Sequence, residues 1–282
     1  MTGDREPAAL GGASPAAIGS LSGTEFKTCC ADGYSRDVVA LLLGESFHPG
    51  GSRLTRRLAD RLGLRPARRV LDVASGPGST ARLLAAEYRV RVEGIDLAAA
   101  TVARATAAAE CAGLGDTVRF RCADAEAIPF EDGAFDAVVC ECALCLFPDK
   151  SRAAAEFARM LRPGGRVGIT DVTVSGSGLP PELTDLVSHI ACIADARPAA
   201  AYADLLTGAG LRVTLTEHHD RAVATMLDHI EARLTLLRIT APAPLAERGM
   251  TRSVISRYLH IARDAVTEGH LGYALITAEK PH

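Results

Sequence analysis

The chain of 282 residues has room for one large domain or two small ones. Hydrophobic residues make up 48% and charged residues 23%, the balance of a globular protein rather than a disordered one. With 31 Lys and Arg against 34 Asp and Glu the formal charge is −3, so no basic excess marks it for nucleic acid, and no run nears the ~20 apolar residues of a membrane crossing. Residues 1–23, rich in Ala, Gly, Ser and Pro without periodicity, read as a mobile tail. A helical cap segment is expected over 24–64. Its first helix is Tyr34–Leu43, broken by His48-Pro49-Gly50-Gly51; in its second, capped by Ser52, Leu54, Leu58 and Leu62 share a face.

Strand and helix alternate through a core expected over 65–221. The strands are Arg69–Val73, Arg91–Asp96, Val118–Cys122, Phe135–Cys140 and Arg166–Val172. Helices are expected over Thr80–Tyr88, to Ala112, and through Leu161 to a stop at Pro163-Gly164-Gly165. Further helices follow at Leu183–Ala194 and Ala201–Ala209, then a strand at Leu211–Glu217. Helical patterns at Ala224–Leu237 and Ser253–Thr267 form an insertion over 222–270, a cap or contact surface, before a last strand in 271–282. Such alternation implies right-handed βαβ units and a Rossmann-like α/β fold. Its mostly parallel sheet carries helices on both faces and binds ligands at the carboxyl ends of the strands.

Three acids end three consecutive strands. Asp72 precedes a turn with Gly76 and Gly78, Asp96 ends the second strand, and Asp124 follows the third. The glycines let backbone approach a ligand; Asp72 can bind an amine or hydroxyl, Asp96 a ribose, Asp124 an adenine amine. Singly, each reads as well as a tight turn or a helix cap. A dinucleotide-binding dehydrogenase also accounts for Gly76, Gly78 and Asp96. Asp72, Asp124 and the Pro163-Gly164-Gly165 turn go beyond that fingerprint, and in this order the segments of 65–175 resemble the class I S-adenosylmethionine-dependent methyltransferases. The resemblance implies a seven-stranded sheet and S-adenosylmethionine as cofactor, held by Asp72, Ala74, Gly76, Gly78, Asp96, Leu97, Asp124, Ala125 and Cys140. Ala74 departs from it, standing where the family often has glycine.

Eight cysteines without a small-scaffold pattern, behind an N-terminus lacking a basic-then-apolar leader, suggest free thiols in a reducing cytosol. Cys111 and Cys122 read as small core hydrophobes. Cys140-Glu141-Cys142-Ala143-Leu144-Cys145 directly follows the fourth strand, where a substrate is expected, and Glu141 is the acid placed beside it. Buried spacers, a zinc site and a soft thiophilic substrate all fit such a cluster. Phe26–Ala31, with Cys29 and Cys30, the stretch Asp136–Lys150, and Ala191-Cys192-Ile193-Ala194 resemble the arsenite methyltransferases. That resemblance implies Cys29, Cys30, Cys142, Cys145 and Cys192 as arsenic ligands, with Cys192, Cys30, Cys142, Cys145 and Glu141 as the catalytic set. The substrate would then be a small molecule, arriving as a glutathione or other thiol adduct. No cysteine stands near Phe47-His48 or after Cys192, where that family carries others. An organic acceptor, another soft element such as selenium, or a non-catalytic metalloid-binding protein are the alternatives. His48, His189, His218 and His219 are the candidate bases for an organic acceptor.

Overall fold

The computed structural model describes residues 48–176, 179, 183, 195–240 and 252–282. The expected tail, the helix over Tyr34–Leu43 and all but Leu183 of the stretch Leu183–Ala194 lie outside the described residues, as do Cys29, Cys30 and Cys192. Five segments form parallel strands: β1 Arg69–Val73, β2 Arg91–Asp96, β3 Val118–Cys122, β4 Phe135–Glu141 and β5 Leu161–Val174. After them, β6 Arg212–His218 and β7 Leu271–Glu279 complete a seven-stranded sheet of order β3-β2-β1-β4-β5-β7-β6. Only β7 runs antiparallel, to both β5 and β6. This is the Rossmann-like, mostly parallel sheet expected of the alternating pattern. Strand order reverses between β1 and β4, and an α/β sheet binds its ligands at such a point.

The helices are α1 Gly51–Leu62, α2 Ser79–Tyr88, α3 Ala99–Cys111, α4 Lys150–Met160, α5 Ala199–Gly208, α6 Asp220–Thr240 and α7 Arg252–Thr267. Side chains alternate across each strand, so the sheet has a core on each face. Leu71, Val138, Cys140 and Ile169 face a layer containing Phe157 of α4 and Leu206 of α5. Val70, Ala137, Val139 and Leu275 face one containing Leu58 of α1, Leu84 of α2 and Ala262 of α7. Between β6 and β7, α6 and α7 pack together, with Leu234 and Leu259 buried in a small cluster of their own.

Two local readings change. The α1 cap is Gly50, left-handed at φ 81°, with no side-chain cap bond, and Ser52 lies inside the helix. The turn closed by the Gly51 N–H on the His48 carbonyl brings the chain in through a conformation glycine takes without strain. Pro163-Gly164-Gly165 does not precede β5 but lies within it. Phe135 faces Leu161 and Ala137 faces Arg166, so the segment from Arg162 to Gly165 bulges opposite Asp136. Among the described residues no helix is long and apolar enough to cross a membrane.

Candidate cofactor and active site

Asp72, Asp96 and Asp124 stand at the carboxyl edge of the β1-β2-β3 half of the sheet. Asp72 is only 2% exposed, and among the described residues its Oδ2 has no hydrogen-bond partner; neither has the buried Oγ of Ser75 in the following turn. The Ala81 N–H, in the first turn of α2, bonds the Asp72 carboxyl. Burial, then the negative charges of Glu141 and Asp96, push the pKa of Asp72 well above the ordinary carboxylate range. A buried carboxylate oxygen left without a partner is costly, and a cationic or N–H-bearing ligand would satisfy it. The site therefore has the chemistry to receive an ammonium group.

The turn from Ala74 to Gly78 is bent by three left-handed residues, Ala74 at φ 56°, Gly76 at 51° and Gly78 at 74°. Gly78 is required by the protein itself as well as by any ligand: a Cβ there would stand 2.4 Å from the Phe120 ring of β3. Ala74 is the residue the sequence set apart, and here it carries the strain a glycine would avoid. Ala74→Gly is expected to stabilise the protein by about 1 kcal/mol. Chemical denaturation checks this; an unmoved or lowered midpoint would mean the turn accepts alanine without cost.

Asp96 closes the turn from the other side. Its Oδ2 accepts the Gly76 N–H and its Oδ1 the Ala98 N–H, each at 3.0 Å. Burial raises its pKa, opposed by backbone N–H groups of Ala98, Gly76 and Leu97. Leu97 beside it is half-buried. Asp124 accepts the Glu126 N–H at 2.9 Å in a turn bridged to Ala127, and Ala125 is buried beneath. Cys122 and Cys111 are exposed, not core residues. The sheet ends at β3, so the Cys122 thiol meets solvent and donates to the Leu97 carbonyl, while Cys111 closes an exposed helix end.

The thiols at the end of β4 and just after it divide between the two cores. Cys140 and Cys142 would share a face in a regular strand, but Cys142 is left-handed at φ 54°. Cys140 is consequently enclosed in the α4/α5 core, and burial pushes its thiol pKa well up, while Cys142 packs against the opposite core. Cys145 is buried on the Cys140 side. Among the described residues no group of three or more His, Cys, Asp or Glu is arranged to hold a metal ion. Glu141 is turned into a cage of hydroxyls, its side chain 4% exposed. His48 is buried against it at 3.4 Å. His218 is exposed and His219 pairs with Glu217, while His189 lies outside the described residues.

One acid the sequence reading passed over stands in β5, three residues before its end. Asp171 is 2% exposed, accepts the Cys145 N–H at 3.0 Å and the Val172 N–H at 2.8 Å, and also receives the Cys145 thiol. Burial raises its pKa to about 6, against the lowering effect of those donors and of the Lys150 charge. Lys150 is itself buried, bonded to the Phe147 carbonyl and to Asp195. The signal was present in Ile169-Thr170-Asp171-Val172, an acid near the end of a buried strand, as Asp72 and Asp96 are.

A family model for a methyltransferase domain matches residues 71–169, the segment from β1 into β5. The methyltransferase GfsG of Streptomyces halstedii is 31% identical over 235 residues, covering 82% of this chain and 81% of that protein. The 27-O-demethylrifamycin SV methyltransferase of Amycolatopsis mediterranei is 30% identical over 259 residues, 87% of this chain and 93% of that one. In fold the chain resembles Haemonchus contortus phosphoethanolamine N-methyltransferase 2 in complex with S-adenosyl-L-methionine, with a TM-score of 0.76 and 19% identity. That match covers 94% of this chain and 61% of the other. By its likeness to two enzymes along most of its length, and by a sheet whose acid-tipped strands suit a cationic nucleoside, the chain belongs to the class I S-adenosylmethionine-dependent methyltransferases, with S-adenosylmethionine as its cofactor.

Proposed function

We propose that the protein methylates a hydroxyl oxygen of an organic small molecule, with Asp171 as the general base. When bound, S-adenosylmethionine supplies a methyl carbon made electrophilic by the sulfonium sulfur. The unpartnered Oδ2 of Asp72 would take its ammonium, the outward lone pairs of Asp96 the ribose hydroxyls, and the Asp124 turn with Ala125 the adenine. Ala74, Gly76, Gly78 and Leu97 would shape the wall between them. Catalysis of such a displacement is mainly alignment of the acceptor with the methyl carbon and sulfur. An alcohol oxygen also needs to shed its proton, and a base of pKa near the working pH does this best. Asp171, a buried acid near the end of β5 beside the Cys145 segment, whose pKa burial raises to about 6, is what carries this reading. It would hold the proton that the hydroxyl gives up as oxygen bonds the methyl carbon and the carbon–sulfur bond breaks. The rifamycin relative, whose name places its reaction at an oxygen of an organic molecule, supports the same substrate class.

Methylation of a thiol-bound arsenical is the competing reading. Its proposed ligands Cys142 and Cys145 are separated by the turn at Cys142, and Cys145 is engaged with Asp171; it rests on Cys29, Cys30 and Cys192. One experiment distinguishes them. The protein is incubated with S-adenosylmethionine and either a set of hydroxylated organic molecules that includes 27-O-demethylrifamycin SV or arsenite with glutathione, and products are read by mass spectrometry. An O-methylated organic product with no methylated arsenic is the expected result. Methylated arsenic, abolished in Cys192→Ser, would establish the arsenical instead.

A further inference from the structure

We propose that Glu141 is a positioning residue: through Thr80 it fixes the N-terminus of α2, and so aims Asp72 at the cofactor, while fastening α1 to the same point. Its Oε2 accepts the Thr80 hydroxyl of α2 at 2.6 Å and the Thr55 hydroxyl of α1 at 3.0 Å, and His48 Nε2 lies 3.4 Å away. Its Oε1 accepts the Thr170 hydroxyl of β5 at 3.4 Å. Thr170 also shares a 3.0 Å hydrogen bond with the buried Tyr273 hydroxyl of β7.

One carboxylate thus ties together four elements from the face of the sheet that carries α1 and α2. A buried carboxylate persists only when donors surround it, and here hydroxyl side chains and the His48 ring stand around Glu141. The consequence for the cofactor runs through adjacent residues. Thr80 is held by Glu141; the next residue, Ala81, gives its N–H to Asp72; the other Asp72 oxygen is left unpartnered. Rotation of Thr80 away from Glu141 would carry the Ala81 N–H with it and unseat the carboxylate. Enclosed in this way, Glu141 serves the reaction without touching the acceptor.

This proposal rests on the cofactor placement above, and the test separates the two. Binding of S-adenosylmethionine and of S-adenosylhomocysteine is measured by calorimetry, with melting temperature as the check on folding. Neither ligand binding the parent protein would overturn the cofactor placement. Glu141→Gln and Thr80→Val should each weaken both ligands by about tenfold, since the amino-acid end is common to them. The double variant should be no weaker than either single one, because both break one link. Thr80→Ser, which keeps the hydroxyl, should bind as the parent does; if Glu141→Gln does not fold, the Thr80 pair carries the test. Unchanged binding in Thr80→Val, additive losses, or a loss confined to the sulfonium ligand would each overturn the positioning role.

Discussion

Asp72→Asn should weaken S-adenosylmethionine by roughly thirtyfold or more and, away from acid pH, make the cofactor-free protein more stable. Removing one partner of a buried charged pair costs about 2 kcal/mol or more, which is the affinity loss given. The gain in stability has the same origin. Asn keeps an oxygen for the Ala81 N–H and sets an amide where the unpartnered Oδ2 stood, without a charge facing Glu141 and Asp96. The pH dependence follows from the direction of the shift. The folded state holds the Asp72 proton to higher pH than the unfolded chain does, so its stabilisation is full below the ordinary carboxylate pKa. It is lost as pH rises through the elevated folded value. A bound ammonium favours the ionised carboxyl, so binding should release a proton and tighten as pH rises. Calorimetry in buffers of different ionisation enthalpy counts that proton, and thermal melts compare the free proteins. Full affinity in Asp72→Asn would place the ammonium elsewhere.

Asp171→Asn is expected to lower kcat by about 10²- to 10⁴-fold, the usual contribution of a general base, with cofactor affinity within about threefold of the parent. On an accepted hydroxyl substrate the parent rate should climb with pH through about 6, as the carboxyl ionises, and the variant should lose that limb. Stability moves the opposite way. The raised pKa means the group stabilises the fold fully below about 4 and loses that contribution, roughly 3 kcal/mol, as pH passes about 6. The variant, with nothing to titrate there, should lack this slope. A single-turnover rate equal to that of the parent would make Asp171 a structural anchor for the Cys145 segment and remove the oxygen-acceptor reading's chief support.

The sheet was legible because its central strands β1 and β4 are short buried apolar runs, and the alternation of strand and helix around them follows from that local pattern. Asp72, Asp96 and Asp124 were legible from the same alternation: each ends or follows one of its strands. Burial of individual side chains was not. Cys122 ends the strand Val118–Cys122, and that strand is an edge. Glu141 and Asp171 differ from surface acids only in what surrounds them. Thr55, Thr80 and Thr170 lie far from Glu141 in the chain, and no sequence spacing joins them.

The sequence by itself determined the alternation of strand and helix, and with it the parallel sheet and the acid-tipped strands, since period and turn chemistry are local properties; the cofactor class followed from the resemblance of those segments to a known family. Only the tertiary structure decided which acids are buried, that the thiols at Cys140 and Cys142 part to opposite faces, and that burial raises the pKa of Asp171 to about 6. Desolvation and charge–charge repulsion depend on neighbours brought in from distant segments, and a left-handed residue at the end of a strand redirects every side chain beyond it.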